Sequence, residues 1–239
     1  MIKAVLFDLD DTLYDHTHSL RTGLNSVKEK YDCFASYSLD ELISEHLRLL
    51  DIIHKTQVLT GKLSVKEARE ERFRIAFENF GCKSSKKLAA EAAEYYRINY
   101  ESSRKLVDGS LGLLNALNKK IKIGIVSNNL VSQQEDKIKY FGLGKFIDTL
   151  VVSETAGFTK PDARIFKIAL DNLGINPDEA VMIGDSWDED IIGARNAGIK
   201  AIWFNRKNLP LKDEHIAIEI KSFNPPENVL NMIFNFVCL

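Results

Sequence analysis

Short, nearly unbroken apolar runs recur along this chain and constrain its fold more than any other feature. After the opening AVLF come IKIGIVSNN at 121–129, TLVVSET at 149–155, AVMIGDS at 180–186 and KAIWFNR at 200–206. Each is rich in Ile and Val and lacks the alternation of a strand with one wet face, so each reads as a strand covered on both sides in a parallel sheet. Helical patterns stand between them. In ARIFKIALDNLG, Ile165, Phe166, Ala169, Leu170 and Leu173 share one face and Gly174 supplies the stop. Residues 132–141 and 188–197 read likewise. Strand and helix in alternation, joined by right-handed crossovers, specify an α/β fold with a doubly wound parallel sheet. Near the end, Asn224, Pro225 and Glu227 offer an N-cap, a first-turn proline and a capping-box acid for a last helix reaching about Phe236.

Residues 15–104 differ, carrying helix signals and almost no strand signal. Ser38 with Glu41, and Ser64 with Glu67, have capping-box spacing. Leu39, Ile43, Leu47 and Leu50 then repeat along one face, and AAEAAEYY at 89–96 is a strong helix former. The expectation is a discontinuous α/β core, 1–14 and 105–239, with a helical domain inserted at 15–104 and a hinge where the chain crosses twice.

Charge and composition narrow the partners. With 32 basic against 34 acidic residues and a net charge of −2, no basic block is present to track nucleic acid or an anionic membrane. A hydrophobic content of 45% closes at least one sizeable core. No apolar stretch approaches the ~20 residues of a membrane span, and the run before Asp8 is too short for a signal peptide, so a cytoplasmic protein is expected. Cys33, Cys82 and Cys238 are odd in number, widely spaced and without CxxC or Cys/His patterns, and they read as separate, mostly buried thiols. Nothing separates a partner face from a packing face, and a monomer is the working expectation.

Ligands of such sheets bind outside the carboxyl ends of the strands, and the polar clusters gather there. Asp8 and Asp10 end the first strand, Ser127 and Asn128 the second, Lys160 follows the third and Asp185 ends the fourth. A period of two sends Asp8 and Asp10 to the same side. Two carboxylates in a partly dry crevice repel each other unless a cation lies between them, and with Asp185 converging, Mg²⁺ meets that demand. Other features read more plainly. Asp11 is a turn residue, and Asp188 and Glu189 complement a helix N-terminus. GLG at 142–144 follows a helix, so it is no dinucleotide fingerprint. His16, His18, His46 and His54 read as packing or surface residues, and Arg48, Lys55, Arg69, Arg72 and Arg74, the candidate ligand contacts of the inserted domain, read more plainly as solvated helix faces.

The set of strand-end clusters resembles the haloacid dehalogenase superfamily of phosphohydrolases. DxDxT is matched by Asp8, Asp10 and Thr12, the strand ending in Ser or Thr by Ser127, the lysine before proline by Lys160, and GDSxxxD by Gly184, Asp185, Ser186 and Asp190. The resemblance covers 1–14 and 105–239 and implies a Rossmann-like core with the insertion as a cap. It further implies a Mg²⁺-dependent phosphatase acting through an aspartyl-phosphate. Asp8 is then the nucleophile and Asp10 the acid and base. Asp8, the backbone carbonyl of Asp10, and Asp185 hold the metal, with Asp190 orienting. Ser127, the amides near Asn128, and Lys160 hold the phosphate, and Thr12 supports the first-motif loop. A cap of this size favours a small phosphorylated metabolite, such as a sugar, triose or nucleoside phosphate. Asp10 argues against a haloalkanoate dehalogenase; a sugar phosphomutase would keep all four motifs, and a catalytically silent phosphate-binding regulator would keep the fold.

Overall fold

The computed structural model describes residues 1–235 apart from 59, 211 and 214. Six strands, β1 (Ala4–Phe7), β2 (Lys122–Ser127), β3 (Thr149–Val152), β4 (Ala180–Gly184), β5 (Lys200–Phe204) and β6 (Ile218–Ile220), form one parallel sheet in the order β3-β2-β1-β4-β5-β6. The four residues of β1 and the five of β4 are buried throughout, which is why their runs are apolar without alternation. β6 has no counterpart among the expected strands, being three residues at a sheet edge and too short to show a pattern. The chain winds outward from β1 through β2 to β3, then returns to β4 on the other side of β1. The order therefore reverses between β1 and β4, and the crevice of a doubly wound sheet opens at such a point.

Two compact units divide the chain, Met1–Asp15 with Leu106–Leu239, and His16–Lys105. The second unit consists of α1 (His16–Lys30), α2 (Leu39–Ile53), α3 (Val65–Asn79) and α4 (Lys86–Ser102). Both capping boxes close: the Ser38 hydroxyl accepts from the Glu41 amide at 3.2 Å while Glu41 accepts from the Ser38 amide at 2.7 Å, and Ser64 and Glu67 repeat the arrangement. Leu20, Leu24, Phe34, Phe73, Phe77, Ala92 and Tyr96 form the unit's core. Gly23 permits close approach of α1 and α4, since a Cβ there would lie 2.8 Å from the Tyr96 ring.

Three expectations for this unit need correction. The buried face of α2 is Leu42, His46, Leu49 and Ile53, whereas Leu47 is exposed; α2 is apolar over a broad arc, so its phase was ambiguous. Arg72 is buried on α3 rather than solvated. Cys33 and Cys82 are joined in a disulfide with their Cα atoms 5.7 Å apart, and Cys33 is exposed. Helix packing brings the segments before α2 and after α3 together, which their separation of 49 residues does not reveal. Cys238 and Phe236 lie outside the described residues.

The α/β unit carries α5 (Ser110–Leu117), α6 (Val131–Tyr140), α7 (Ser153–Ala156), α8 (Ala163–Leu173), α9 (Gly193–Asn196) and α10 (Pro226–Phe234). Ile165, Phe166, Ala169, Leu170 and Leu173 of α8 pack on Leu6, Val126 and Met182 of the sheet. The expected helix 188–197 is a widened turn, Trp187–Ile192, followed by α9. The Ser186 carbonyl accepts from both Asp190 and Ile191, which produces the widening. α10 starts at Pro226 with Pro225 before it, so Asn224 is not its N-cap; Asn224 packs on Gly109 instead. No described helix is long and apolar enough to cross a membrane.

Candidate active site

The site begins where β1 ends. The Asp8 amide still donates to the Ile183 carbonyl at 3.1 Å, making Asp8 the last residue the sheet holds. The chain then turns: the Leu13 and Tyr14 amides both donate to the Leu9 carbonyl, and Asp11 takes a left-handed conformation at φ 61°. The period of two therefore does not extend past Asp8, and the side chains of Asp8 and Asp10 enter different surroundings.

Asp8 is buried and accepts from Lys160 Nζ at 2.7 Å; Lys160, 4% exposed, also donates to Asp190 at 2.6 Å. The other Asp190 oxygen accepts from the Ser186 amide at 3.0 Å. Gly184 makes room for this carboxylate, since a Cβ there would fall 2.3 Å from it. Oxygens of Asp8, Asp185 and Asp190 all lie within 4.8 Å of one another. Burial pushes the Asp8 carboxyl well above the usual range, Lys160 opposes this, and Asp190, Asp185 and Asp10 add to it. Burial likewise pushes Asp185 up to about 6, against the pull of Lys207 and with reinforcement from Asp11 and Asp190. For Lys160, burial works against the charged form, but Asp190 and Asp8 outweigh it and hold the ammonium protonated. Crowded, mutually repelling carboxylates with partial desolvation are the oxygen donor set that a hard divalent cation suits. Mg²⁺ therefore fits the residues present.

Asp10 belongs to a second network. Its carboxylate accepts from Lys137 Nζ at 2.5 Å on one oxygen, and from Gln134 at 2.9 Å and Asn129 at 3.2 Å on the other. Gln134 also donates to the Ser127 hydroxyl at 2.5 Å and accepts from Lys137 at 3.0 Å. The inward face of α6 is thus built of polar residues, Gln134 and Lys137, which are 0% and 5% exposed. Asn128 acts as a strap: its carbonyl accepts from the Lys160 amide at 2.7 Å, and its amide group donates to the Lys160 carbonyl at 3.0 Å and to Glu189 at 3.1 Å. Thr12 is fully buried and accepts from the Asp185 amide at 3.1 Å, and Trp203 donates to the Asp185 carbonyl at 2.9 Å.

The structure thus gathers the side chains of Asp8, Lys160, Asp185 and Asp190 in one cluster, while the carboxylate of Asp10 shares Gln134 with Ser127. Lys137, Gln134 and Asn129 were not anticipated. Gln134 and Lys137 share a helix face at i,i+3 spacing, a polar pattern that by itself reads as solvent-facing, and Asn129 lies just before that helix. Arg206 and Lys207, two and three residues past the end of β5, are further site residues that the sequence reading does not single out. Arg206 donates to Asp11 at 2.9 Å and Asp15 at 2.6 Å, and Lys207 to Asp11 at 3.3 Å and Asp185 at 3.1 Å. Asp11 is therefore ion-paired as well as being a turn residue.

A family profile described as haloacid dehalogenase-like hydrolase matches residues 2–198. The chain belongs to the haloacid dehalogenase-like hydrolases. Among its relatives in this family, the glyceraldehyde 3-phosphate phosphatase of Methanothermobacter thermautotrophicus is 30% identical over 218 residues, covering 90% of this chain and 91% of that one. The pyrimidine 5'-nucleotidase YjjG of Escherichia coli is 30% identical over 206 residues, covering 84% and 85%. The solved structure of the hydrolase YfnB from Bacillus subtilis, bound to magnesium, has the same fold with a TM-score of 0.72 at 26% identity, covering 96% of this chain and 99% of that one. This haloacid dehalogenase-like chain is accordingly an enzyme of the hydrolase class.

Proposed function

We propose that the protein is a Mg²⁺-dependent phosphatase that hydrolyses a small phosphorylated metabolite through an aspartyl-phosphate on Asp8. The division of the two carboxylates between separate networks supports it most directly. Asp8 sits in an acidic cluster steadied by one lysine, suited to a nucleophile. Asp10 is clamped by a lysine and two amides, suited to a group that must meet a proton at one fixed place.

In the first step an Asp8 oxygen bonds to phosphorus as the ester P–O bond breaks, and Asp10 gives its proton to the leaving oxygen. In the second step Asp10 takes a proton from water as that water bonds to phosphorus. The Asp8–phosphorus bond breaks, restoring the carboxylate and releasing inorganic phosphate. Lys160, the Ser127 hydroxyl and the amides beyond it would hold the transferring oxygens. Asn128 fixes the Lys160 loop, and Thr12 anchors the backbone of Asp185. Asp8, the backbone carbonyl of Asp10, and Asp185 would hold Mg²⁺, with Asp190 orienting Lys160; the ion would supply neutralisation of the phosphoryl group's charge.

The named substrates of the relatives, a triose phosphate and pyrimidine nucleotides, favour a small metabolite here as well. In this reading residues 1–14 and 105–239 are the catalytic core and 15–104 a substrate-selecting cap, acting on metabolites of the cytoplasm without nucleic acid or membrane partners. Phosphorylated sugars, trioses and nucleosides, ranked by kcat/KM with Mg²⁺, test it. Inorganic phosphate should appear, and thorough chelation should stop the reaction. Transfer of phosphate to a second sugar hydroxyl instead of water would overturn the hydrolytic assignment.

A further inference from the structure

Among the described residues, three Lys or Arg side chains are buried: Lys137, Lys160 and Arg72. The two lysines each meet a carboxylate. Arg72, on α3 and 9% exposed, meets none, and its Nε has no hydrogen-bond partner. Arg69 lies one turn earlier on the same helix, half-buried and, among the described residues, in no ion pair, although Glu101 and Glu94 attract it from further off. The nearby acids Glu94 and Glu101 are both paired with Arg97. His46 faces the same region, buried between Phe73 and Tyr96 with ring centroids at 5.8 and 5.1 Å. His16, hydrogen-bonded to the Tyr100 hydroxyl at 2.8 Å, adds a second imidazole close enough to act on it.

A guanidinium keeps its proton at any physiological pH, and burying it without a partner is among the costliest arrangements a fold can hold. Burial brings Arg72 down to about 10; Tyr96 pulls the other way, Arg69 pushes it further down, and no carboxylate contributes. Packing alone would be better served by Leu or Met at this position. The planar fork of Arg matches the two oxygens of a carboxylate or a phosphate.

We propose that the helical unit contains a binding site for an oxyanion, a carboxylate or phosphate group of a small molecule, formed by Arg72 and Arg69 beside His46 and His16. Its test does not depend on the reaction assigned to the α/β unit. Thermal unfolding of the full chain is followed in sodium malonate or inorganic phosphate, with sodium chloride at matched ionic strength as the control. A ligand bound only by the folded state raises the midpoint in a saturable way. In the wild type, malonate, phosphate or both should raise it beyond chloride. In Arg72→Met the extra rise should vanish, while the anion-free midpoint should equal or exceed that of the wild type, because an uncompensated buried charge has been removed. Phosphate bound in the α/β unit raises both proteins alike and cancels in the comparison.

No rise beyond chloride in the wild type, or the same rise in Arg72→Met, overturns the site. A lower anion-free midpoint for Arg72→Met would also overturn it, since the arginine would then be a structural support. Should that variant fail to fold, Arg69→Gln and calorimetric titration of malonate into the wild type replace it, with weakened binding expected in the variant. The source of the anion is read kinetically. Malonate competing with a carboxylate-bearing phosphate ester but not with p-nitrophenyl phosphate assigns the site to the substrate's second anionic group. Binding without competition assigns it to a separate ligand.

Discussion

The two units bury positive charge on opposite terms. In the α/β unit Lys160 and Lys137 each sit within 2.7 Å of a carboxylate, and Asp190 and Asp10 are themselves held by further donors. In the helical unit Arg72 is buried too, though less deeply, and among the described residues it forms no ion pair. Compensated charge of the first kind becomes part of the fold, because removing one member strands the others. Uncompensated charge of the second kind stays available to something outside the chain.

The largest effect expected in either unit is that of Asp8→Asn. Turnover of p-nitrophenyl phosphate and the phosphoryl adduct seen by acid-quench mass spectrometry should both disappear. The unfolding transition should survive, because Lys160 retains Asp190. Lys160→Met, by contrast, leaves Asp8 and Asp190 buried together without their cation, which should lower stability by about 3–5 kcal/mol in urea unfolding. A Lys160→Met protein as stable as the wild type would dissolve the contrast with Arg72.

Lys137→Met tests whether the second pair is compensated for catalysis as well as for folding. Asp10 keeps Gln134 and Asn129 but loses its cation, and turnover of an alkyl phosphate should fall by about 10- to 100-fold, within what acid–base catalysis supplies. The loss should be smaller for p-nitrophenyl phosphate, whose leaving group needs no proton. Equal losses on both substrates would place Lys137 outside the proton-transfer step.

The smallest effect belongs to the helical unit. Burial, with Arg72, His16 and Arg69 adjacent, holds the His46 pKa well below its ordinary value; Tyr96 is the other titratable group packed on it. The unfolded chain protonates His46 near pH 6.5 while the folded chain does not, so acidification favours unfolding. The stability present above that pH should decline below it by up to about 1.4 kcal/mol per pH unit. His46→Phe should flatten the dependence in urea titrations at pH 5.5 and 7.5.

What the sequence makes legible follows from the range over which each feature is specified. Apolar runs buried on both faces mark parallel strands, and a carboxylate or lysine just past such a run stands out. Asp8, Lys160, Asp185 and Asp190 were therefore visible, and the structure gathers them. Capping boxes are specified within four residues, so Ser38 and Ser64 could be read with equal ease. Gln134 and Lys137 could not, because a polar helix face normally signals solvent; only the sheet beneath turns it inward. The phase of α2 was ambiguous because its leucines and isoleucines span more than one face. Arg72 looked like any surface arginine, since its burial is set by the packing around α3.

The Cys33–Cys82 link lies wholly within the helical unit, and the described part of the α/β unit contains no cysteine. Closing a loop of 49 residues removes unfolded-chain entropy worth about 4 kcal/mol. Thiol–disulfide exchange in the surroundings can therefore loosen or tighten the four helices while leaving the parallel sheet untouched. The link that reductants can open therefore sits with Arg72 in the helical unit, apart from the carboxylates and lysines gathered at the strand ends of the sheet.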